Sequence, residues 1–265
     1  MLNAINGKFK LPIGYVLVNK LNGVTKAALL KQLLLELQEV KVIVNVVVFD
    51  GDPANITMAE TLGANFSTGR FNNNNFVSTA KVTDITEPIT FMLDVVHMHK
   101  LIRNNFSSRE VFQLSQPLIN IFSEETLESL LKNHLTNELI NNDCVVEKRL
   151  IKWNHIESLH DLQDIAGVRL ANKLTKQHVN FKNNKMKVRL AVQVLSDSVA
   201  NAILHCDKTL NIKVFEQSEY TVVFLKVFDR LFDIFNSTGL RCKKPLNHEN
   251  AAEIFRFISE ADLFI

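Results

Sequence analysis

Residues 26–50, KAALLKQLLLELQEVKVIVNVVVFD, decide the fold class of this 265-residue chain. Leucines recur at positions 29, 30, 33, 34 and 37, which is the spacing of an amphipathic helix. Residues 42–49 then form a nearly continuous β-branched run, a pattern typical of a strand that is buried on both faces. A helix followed by a buried central strand predicts an α/β domain.

The flanking sequence predicts the domain organisation. Residues 11–19 predict an earlier strand, and residues 89–96 predict an apolar strand that ends near Asp94 and precedes a helix. Beyond Trp153 nearly every segment has helical periodicity. We therefore predict an α/β domain over residues 1–106, a linker or atypical insertion over residues 107–149, and an all-α domain over residues 150–265.

The composition excludes several classes of protein. The 30 basic and 28 acidic residues leave a formal net charge of +2, so the chain lacks the overall positive charge of many nucleic-acid-binding domains. The three cysteines match neither a disulfide framework nor a structural zinc site, which favours a reducing compartment. The pattern indicates neither a signal peptide nor a transmembrane segment.

Two aspartates that follow predicted strands are candidates for metal chemistry. Asp50 ends its strand, where a carboxylate can hold a divalent ion, although by residue type alone the DGDP motif that it begins is more often a turn. Asp94 either binds metal with the nearby His97 or caps the following helix. On that helix, Lys100 and Arg103 would meet DNA phosphate or solvent.

The predicted helical domain has the residues of a nucleotide site. Asp229 and Asp233 lie one turn apart on an apolar helix, where they either face solvent or accept hydrogen bonds from N1 and N2 of guanine. Five basic residues form either a solvated basic face or a set of phosphate-binding side chains. They are Lys173, Lys176, Lys185, Lys187 and Arg189. No P-loop motif is present in the sequence, which argues against a hydrolysing NTPase.

Four blocks in this sequence resemble, in order, the P-element transposase family, which includes THAP domain-containing protein 9. The first covers residues 7–63 and begins GKFKLPIGYVLVNKLNG, and the second is the D-x-x-H-x-x-K-x-x-R-N pattern of residues 94–104. The third covers residues 155–203 and begins HIESLHDLQDIAG, and the fourth is FLKVFDRLFDIFNS followed by the KPL of residues 244–246. The resemblance implies an incomplete ribonuclease-H-like, retroviral-integrase-type domain followed by a helical GTP-binding insertion domain.

The resemblance also implies roles for particular residues. Asp50 corresponds to the family's second catalytic aspartate and would bind Mg²⁺ or Mn²⁺, with Asp94 as a secondary catalytic candidate. In the helical domain, Lys187, Val188 and Ser196 match the family's nucleotide-contacting segment. Asp229 and Asp233 would read the guanine base of GTP, whereas Lys173, Lys176 and Lys187 would meet its phosphates and Ser196 would add a hydroxyl. The resemblance further implies that the partner is transposon-end DNA, that the location is nuclear and that the assembly is a homo-oligomer.

The chain also departs from the family pattern. The family's first catalytic aspartate precedes the first block, its catalytic glutamate lies beyond position 265, and residues 107–149 have no counterpart. Asparagine is frequent in the family where Asp229 stands. We therefore expect a fragment, or a decayed or domesticated copy, of a transposase that is inactive as an isolated chain. The alternative is a non-catalytic nucleotide-binding or protein-binding module derived from a transposase.

Overall fold

The chain divides into two units, Met1–Asp94 and Val95–Ile265, which we call the α/β unit and the helical unit. The computed structural model describes residues 1–4, 9–15, 20–66, 77–131, 149–236 and 247–264. Within those ranges, no helix has the length and apolarity that are needed to cross a membrane.

The α/β unit packs two helices on a small mixed sheet. Strands β1 (Leu2–Asn3) and β2 (Lys10–Leu11) form an antiparallel pair. Helix α1 (Gly23–Glu39) precedes β3 (Val46–Phe49), and α2 (Pro53–Thr61) precedes β4 (Val77–Ala80) and β5 (Ile89–Leu93). The sheet order is β3-β5-β4, with β3 parallel and β4 antiparallel to β5. Alternate residues of β5 face a core formed with Ala27, Leu34, Met58 and Ala59.

A glycine allows α1 and α2 to approach each other closely. A Cβ atom on Gly23 would lie 2.5 Å from the Cβ of Thr57 and 2.8 Å from the carbonyl oxygen of Ala54. Any larger residue would therefore separate the two helices. Both helices begin at a side-chain cap, because Asn22 accepts from the amide of Thr25 and Asp52 accepts from the amide of Ala54.

The prediction of a central strand over residues 42–49, buried on both faces, is wrong. The strand covers only Val46–Phe49, and it lies at the edge of the sheet as far as the described strands show. Val47 and Phe49 pack against the core, whereas Val46 is 42% and Val48 is 57% exposed. An apolar run alone does not reveal whether a second layer covers it. Of the strand predicted over residues 11–19, positions 16–19 lie outside the described residues.

The helical unit begins with α3 (Val95–Arg109), which leads into the antiparallel pair β6 (Val111–Gln113) and β7 (Leu150–Lys152). Between these strands, the described residues form the short helices α4 (Leu118–Ile121) and α5 (Glu124–Leu131). The remaining helices are α6 (Asn154–Ala166), α7 (Lys176–Val179), α8 (Val188–Val194), α9 (Asp197–Lys208), α10 (Glu219–Phe235) and α11 (Ala251–Phe264). The α/β plus all-α fold class is therefore confirmed.

Helix α10 is the centre of the helical unit, since its residues from position 219 to 228 are all buried. Phe224 lies 4.7 Å from Phe106 of α3 between ring centroids, and Phe106 lies 5.3 Å from Trp153. The Phe106–Trp153 pair is edge-to-face, an arrangement that stabilises a core beyond the apolar area that it buries.

We predicted a linker or atypical insertion over residues 107–149. The part of this segment that the structure describes up to residue 131 belongs to the helical unit. Up to residue 131 it forms β6, α4 and α5, and Leu118, Phe122 and Leu127 are almost fully buried in the core of the helical unit. The predicted domain boundary at residue 106 also differs from the division at Asp94, because α3 buries Phe106 in that same core. Residues 132–148 lie outside the described residues.

Candidate functional site

The structure brings Asp50 and Asp94 to the same end of the sheet. Phe49 is paired with Leu93 in the parallel register of β3 and β5, and each aspartate follows directly. The amide of Asp94 donates a 2.7 Å hydrogen bond to the carbonyl oxygen of Phe49. Side chains leave a rigid scaffold at the carboxyl ends of parallel strands, which is where α/β folds place ligands. The two aspartates therefore follow neighbouring strand ends, and their catalytic role stays a prediction.

The carboxylate of Asp50 has partners that the sequence did not reveal. Its Oδ1 atom accepts from the side-chain amide of Asn55 at 2.6 Å and from the backbone amide of Asp52 at 3.2 Å. The side-chain oxygen of Asn55 in turn accepts from Nζ of Lys26 at 2.7 Å. Asp52 caps α2, because its side chain accepts from the amide of Ala54.

The two carboxylates fit part of a divalent-metal site. Carboxylate oxygens are the ligands that Mg²⁺ and Mn²⁺ prefer, and one Asp50 oxygen is already engaged by Asn55. Within the described residues, no group of three histidine, cysteine, aspartate or glutamate side chains is arranged to hold a metal ion. Asp50 and Asp94 would therefore supply two of the ligands in a site that needs others.

Arg103 is a structural residue of the helical unit, so the expectation that it meets DNA phosphate or solvent is wrong. Its side chain is completely buried, with Cζ 3.8 Å from the ring centre of Phe181. It donates to the carbonyl oxygen of Lys185 at 3.1 Å and to the side chain of Asn104 at 2.8 Å. Burial lowers the pKa of Arg103 to about 10. Lys100 is also buried.

A cavity of about 430 Å³ in the helical unit brings together four predicted nucleotide residues. They are Lys173, Ser196, Asp229 and Asp233, which come from a loop, the start of α9 and the second half of α10. Lys176, Lys187 and Val188 are not among the residues that line it. The predicted site is thus divided, with four residues in one cavity and three at other positions around α7 and α8.

The amino terminus of α9 forms one wall of the cavity. The Ser196 hydroxyl accepts from the amide of Val199 at 3.4 Å and donates to the carbonyl oxygen of Gln193 at 2.9 Å. Asp197 and Ser198 complete the first turn and also line the cavity. The positive end of a helix dipole therefore lies at this wall, a position that favours phosphate.

The loop that carries Lys173 is held by two side chains. Gly167 ends α6 with a φ of 68°, a conformation that glycine adopts without strain. The side-chain oxygen of Gln163 then accepts from the amide of Ala171 at 2.6 Å, and Arg169 donates to the carbonyl oxygen of Leu174 at 3.0 Å. Sequence periodicity assigns Gln163 only to a helix face, so this role was missed.

A buried cation lies beside the carboxylates. Lys226 is 4% exposed, donates to the carbonyl oxygen of Leu130, and places its Nζ 3.5 Å from a carboxylate oxygen of Asp197. It lines a second cavity of about 270 Å³, which shares Asp197, Asp229 and Asp233 with the first. A lysine within the apolar run FLKVF was the signal that could have identified it.

Comparison with known proteins matches one family model within each of the two units. Residues 1–63 match the model of the TNP-like RNase H N-terminal domain, and residues 127–248 match the model of the TNP-like GTP-binding insertion domain. The chain is 26% identical to the human DNA transposase THAP9 over 98% of its own length and 25% of that protein. It is 31% identical to the Drosophila melanogaster transposable element P transposase over 48% of its own length and 17% of that protein.

A solved structure has a similar fold. It is the Drosophila P element transposase strand transfer complex, which matches with a TM-score of 0.52 and 20% identity over 86% of this chain and 43% of that one. The chain therefore spans about a quarter of the length of its human relative, and less than half of the matched chain in the solved structure.

Proposed function

Because this chain belongs to the P-element transposase family, we propose that its helical unit binds GTP in the cavity lined by Lys173, Ser196, Asp229 and Asp233. The convergence of these four side chains from three separate segments is the observation that carries the proposal. A volume of about 430 Å³ lies within the range of small-molecule sites.

The charges of the cavity match the two parts of the nucleotide. Lys173 and the amino terminus of α9 favour the triphosphate, because an ammonium group and helix amides both attract anions. Asp229 and Asp233 are acceptors for the N1 and N2 hydrogens of guanine. Adenine has an unprotonated N1, so the same carboxylates would oppose it at a cost of about 1–3 kcal/mol. The proposed ligand is therefore a guanine nucleotide. The contributions of Lys176, Lys187 and Val188 are further predictions.

Titration of the 265-residue chain with GTP and ATP tests this function. We expect tighter binding of GTP, a loss of that preference in Asp233→Asn, and weaker binding of both nucleotides in Lys173→Ala. Asp262→Asn and Lys182→Ala are matched controls, because both residues are exposed and neither lines the cavity. Equal affinity for the two nucleotides in the unaltered chain would refute guanine recognition.

A second function is favoured by the position of Asp50 beside Asp94. We propose that the α/β unit derives from the DNA-cleaving domain of a transposase, and that these aspartates hold Mg²⁺ or Mn²⁺ together with ligands from elsewhere. A bound ion would activate water or stabilise a leaving oxygen in phosphoryl transfer. In this chain, Asn55 would orient the Asp50 carboxylate and Lys26 would fix Asn55.

Family membership also suggests the surroundings in which the chain acts. We propose transposon-end DNA as the partner of the longer ancestral protein, the nucleus as its location and a homo-oligomer as its assembly. The alternative, a domesticated module that binds nucleotide or protein without catalysis, predicts GTP binding without metal-dependent DNA cleavage. Both readings predict no cleavage by the isolated chain, and incubating it with transposon-end DNA and Mn²⁺ tests this expectation. Cleavage that is lost in an Asp50→Asn variant would contradict it and would favour a catalytic role for Asp50.

A further inference from the structure

A chain of hydrogen bonds runs from the loop of the cavity to a residue that no motif identified, Gln193. Thr175 follows this loop, and its backbone amide donates to Nδ1 of His178 at 3.1 Å. The other ring nitrogen, Nε2, lies 2.9 Å from the side-chain oxygen of Gln193. His178 is buried, and Gln193 lines the cavity.

The first hydrogen bond determines the direction of the second. A backbone amide can only donate, so Nδ1 of His178 must be the unprotonated acceptor. A neutral imidazole then carries its proton on Nε2, and that N–H donates to the oxygen of Gln193. The Thr175 hydroxyl lies 2.9 Å from the same Nδ1 and donates to it as well.

The orientation of the Gln193 amide follows from this tautomer. Its oxygen faces His178, so its NH₂ group is the end that remains to meet another molecule. In the described part of the chain, the bond to His178 is the one hydrogen bond of the Gln193 side chain. Gln193 lines the same cavity as Asp229 and Asp233, and its amide can offer two hydrogen-bond donors where those two carboxylates are acceptors.

We propose that Gln193 is a specificity-determining residue, which donates to O6 of guanine while His178 positions it. This inference rests on the proposed nucleotide function. Guanine has the acceptor O6 next to its N1 donor, whereas adenine has a donor amine at the same place. A donor beside two carboxylates is therefore complementary to O6 and N1–H of guanine. Adenine would instead place its amine against the donor and its unprotonated N1 against a carboxylate.

Nucleosides provide the sharpest test, because they remove the contribution of the phosphates. The full chain is titrated with guanosine, adenosine, GTP and ATP, and the ratio of guanine to adenine affinity is the readout. Gln193→Glu keeps an oxygen to accept from His178 but replaces the donor by an acceptor. We expect this variant to lower the ratio about tenfold, and Gln193→Ala to lower it about fivefold.

His178 is tested as a positioning residue by two variants. His178→Leu leaves Gln193 without its fixed partner, so we expect the guanine preference to fall. His178→Gln can still donate an N–H toward Gln193, and we expect it to restore much of the preference. Thermal unfolding of each variant shows whether the helical unit remains folded, and a fall in the ratio at an unchanged midpoint would support positioning.

Several results would overturn the inference. An unchanged ratio in Gln193→Glu would mean that Gln193 only supports the loop. Equal losses of GTP and ATP affinity in Gln193→Ala, with guanosine unaffected, would place its donor on phosphate instead. If Asp233→Asn weakens guanosine binding and neither Gln193 variant changes the ratio, the nucleotide function stands and only this inference fails. If the unaltered chain binds no guanine ligand, both fail.

Discussion

The Nζ atom of Lys226 lies 3.5 Å from a carboxylate oxygen of Asp197, although the lysine is in the buried middle of α10 and the aspartate is at the exposed start of α9. The same ammonium donates to the carbonyl oxygen of Leu130 in α5. A single cation therefore ties together three helices around the two cavities of the helical unit.

Lys226→Met should lower the free energy of unfolding by about 1–3 kcal/mol. Methionine keeps most of the apolar stem, but it leaves the Leu130 carbonyl without its charged donor. Urea unfolding measures the change, with Lys182→Met as the control because that lysine is exposed. Asp197→Asn should lower the free energy of unfolding by less, because the Asp197 side chain is 51% exposed. The interpretation fails if both lysine variants have the same stability.

Arg103→Lys should be nearly as destabilising as Arg103→Leu, by about 2–4 kcal/mol for each. The guanidinium binds the Lys185 carbonyl and stacks on Phe181 at the same time, and an ammonium group lacks the planar geometry that both contacts need. Chemical denaturation measures this. Arg109→Lys, at the exposed end of the same helix, should change little. Full stability in Arg103→Lys would contradict the stacked geometry.

Acid should destabilise the helical unit through two histidines. Burial and the nearby Arg103 lower the pKa of His99 to about 4, and burial with Lys152 lowers that of His155 to about 4, although Asp207 opposes this shift. The unfolded chain binds these protons at higher pH, near 6.5. Stability is therefore complete above pH 6.5 and falls as the pH drops towards 4, by up to about 3 kcal/mol for each histidine.

Unfolding free energies measured between pH 4 and pH 7 test this dependence. His99→Leu should flatten the acid limb, because the titrating group is removed while the contact with the Phe232 ring remains possible. Replacing His248, which is exposed, by asparagine should leave the limb unchanged. An equally steep acid limb in His99→Leu would show that other groups cause it.

Asp50→Asn and Asp94→Asn should each weaken binding of Mn²⁺ to the chain. The two residues follow paired strands, so an ion held between them loses an anionic ligand with either change. Water-proton relaxation in the presence of Mn²⁺ reports this directly. Glu60→Gln is the control, as an exposed carboxylate on the neighbouring helix α2. Mn²⁺ binding that neither substitution alters would exclude the pair as a metal site.

The elements that the sequence predicted best are those that depend on local periodicity. The leucine spacing predicts a helix over residues 26–40, and α1 covers Gly23–Glu39. The apolar run after it was misleading, because it carries no information about whether Val46 and Val48 are covered by another layer. Whether a strand is central or at an edge depends on strand pairing, which is a long-range property.

The candidate nucleotide site was predicted in part. Resemblance and charge pattern identified Lys173 and Asp233, which line one cavity although 60 positions separate them in the sequence. Gln193 and His178 carry no motif, and their relationship depends on which ring nitrogen accepts from Thr175. The bond to Gln193 forms only when α7 and α8 meet in space, so residue type and spacing could not reveal it.

The burial of residues 107–131 in the helical unit decides where this polypeptide can be cut. A piece that began at residue 150 would lack Phe106, Leu118, Phe122 and Leu127, and would expose apolar side chains of the core that the intact chain covers. Because these residues share one core with Phe224 and Trp153, such a piece should aggregate on expression. A recombinant piece that begins at Val95 keeps this layer, so it is the shorter version suited to crystallisation and to calorimetry.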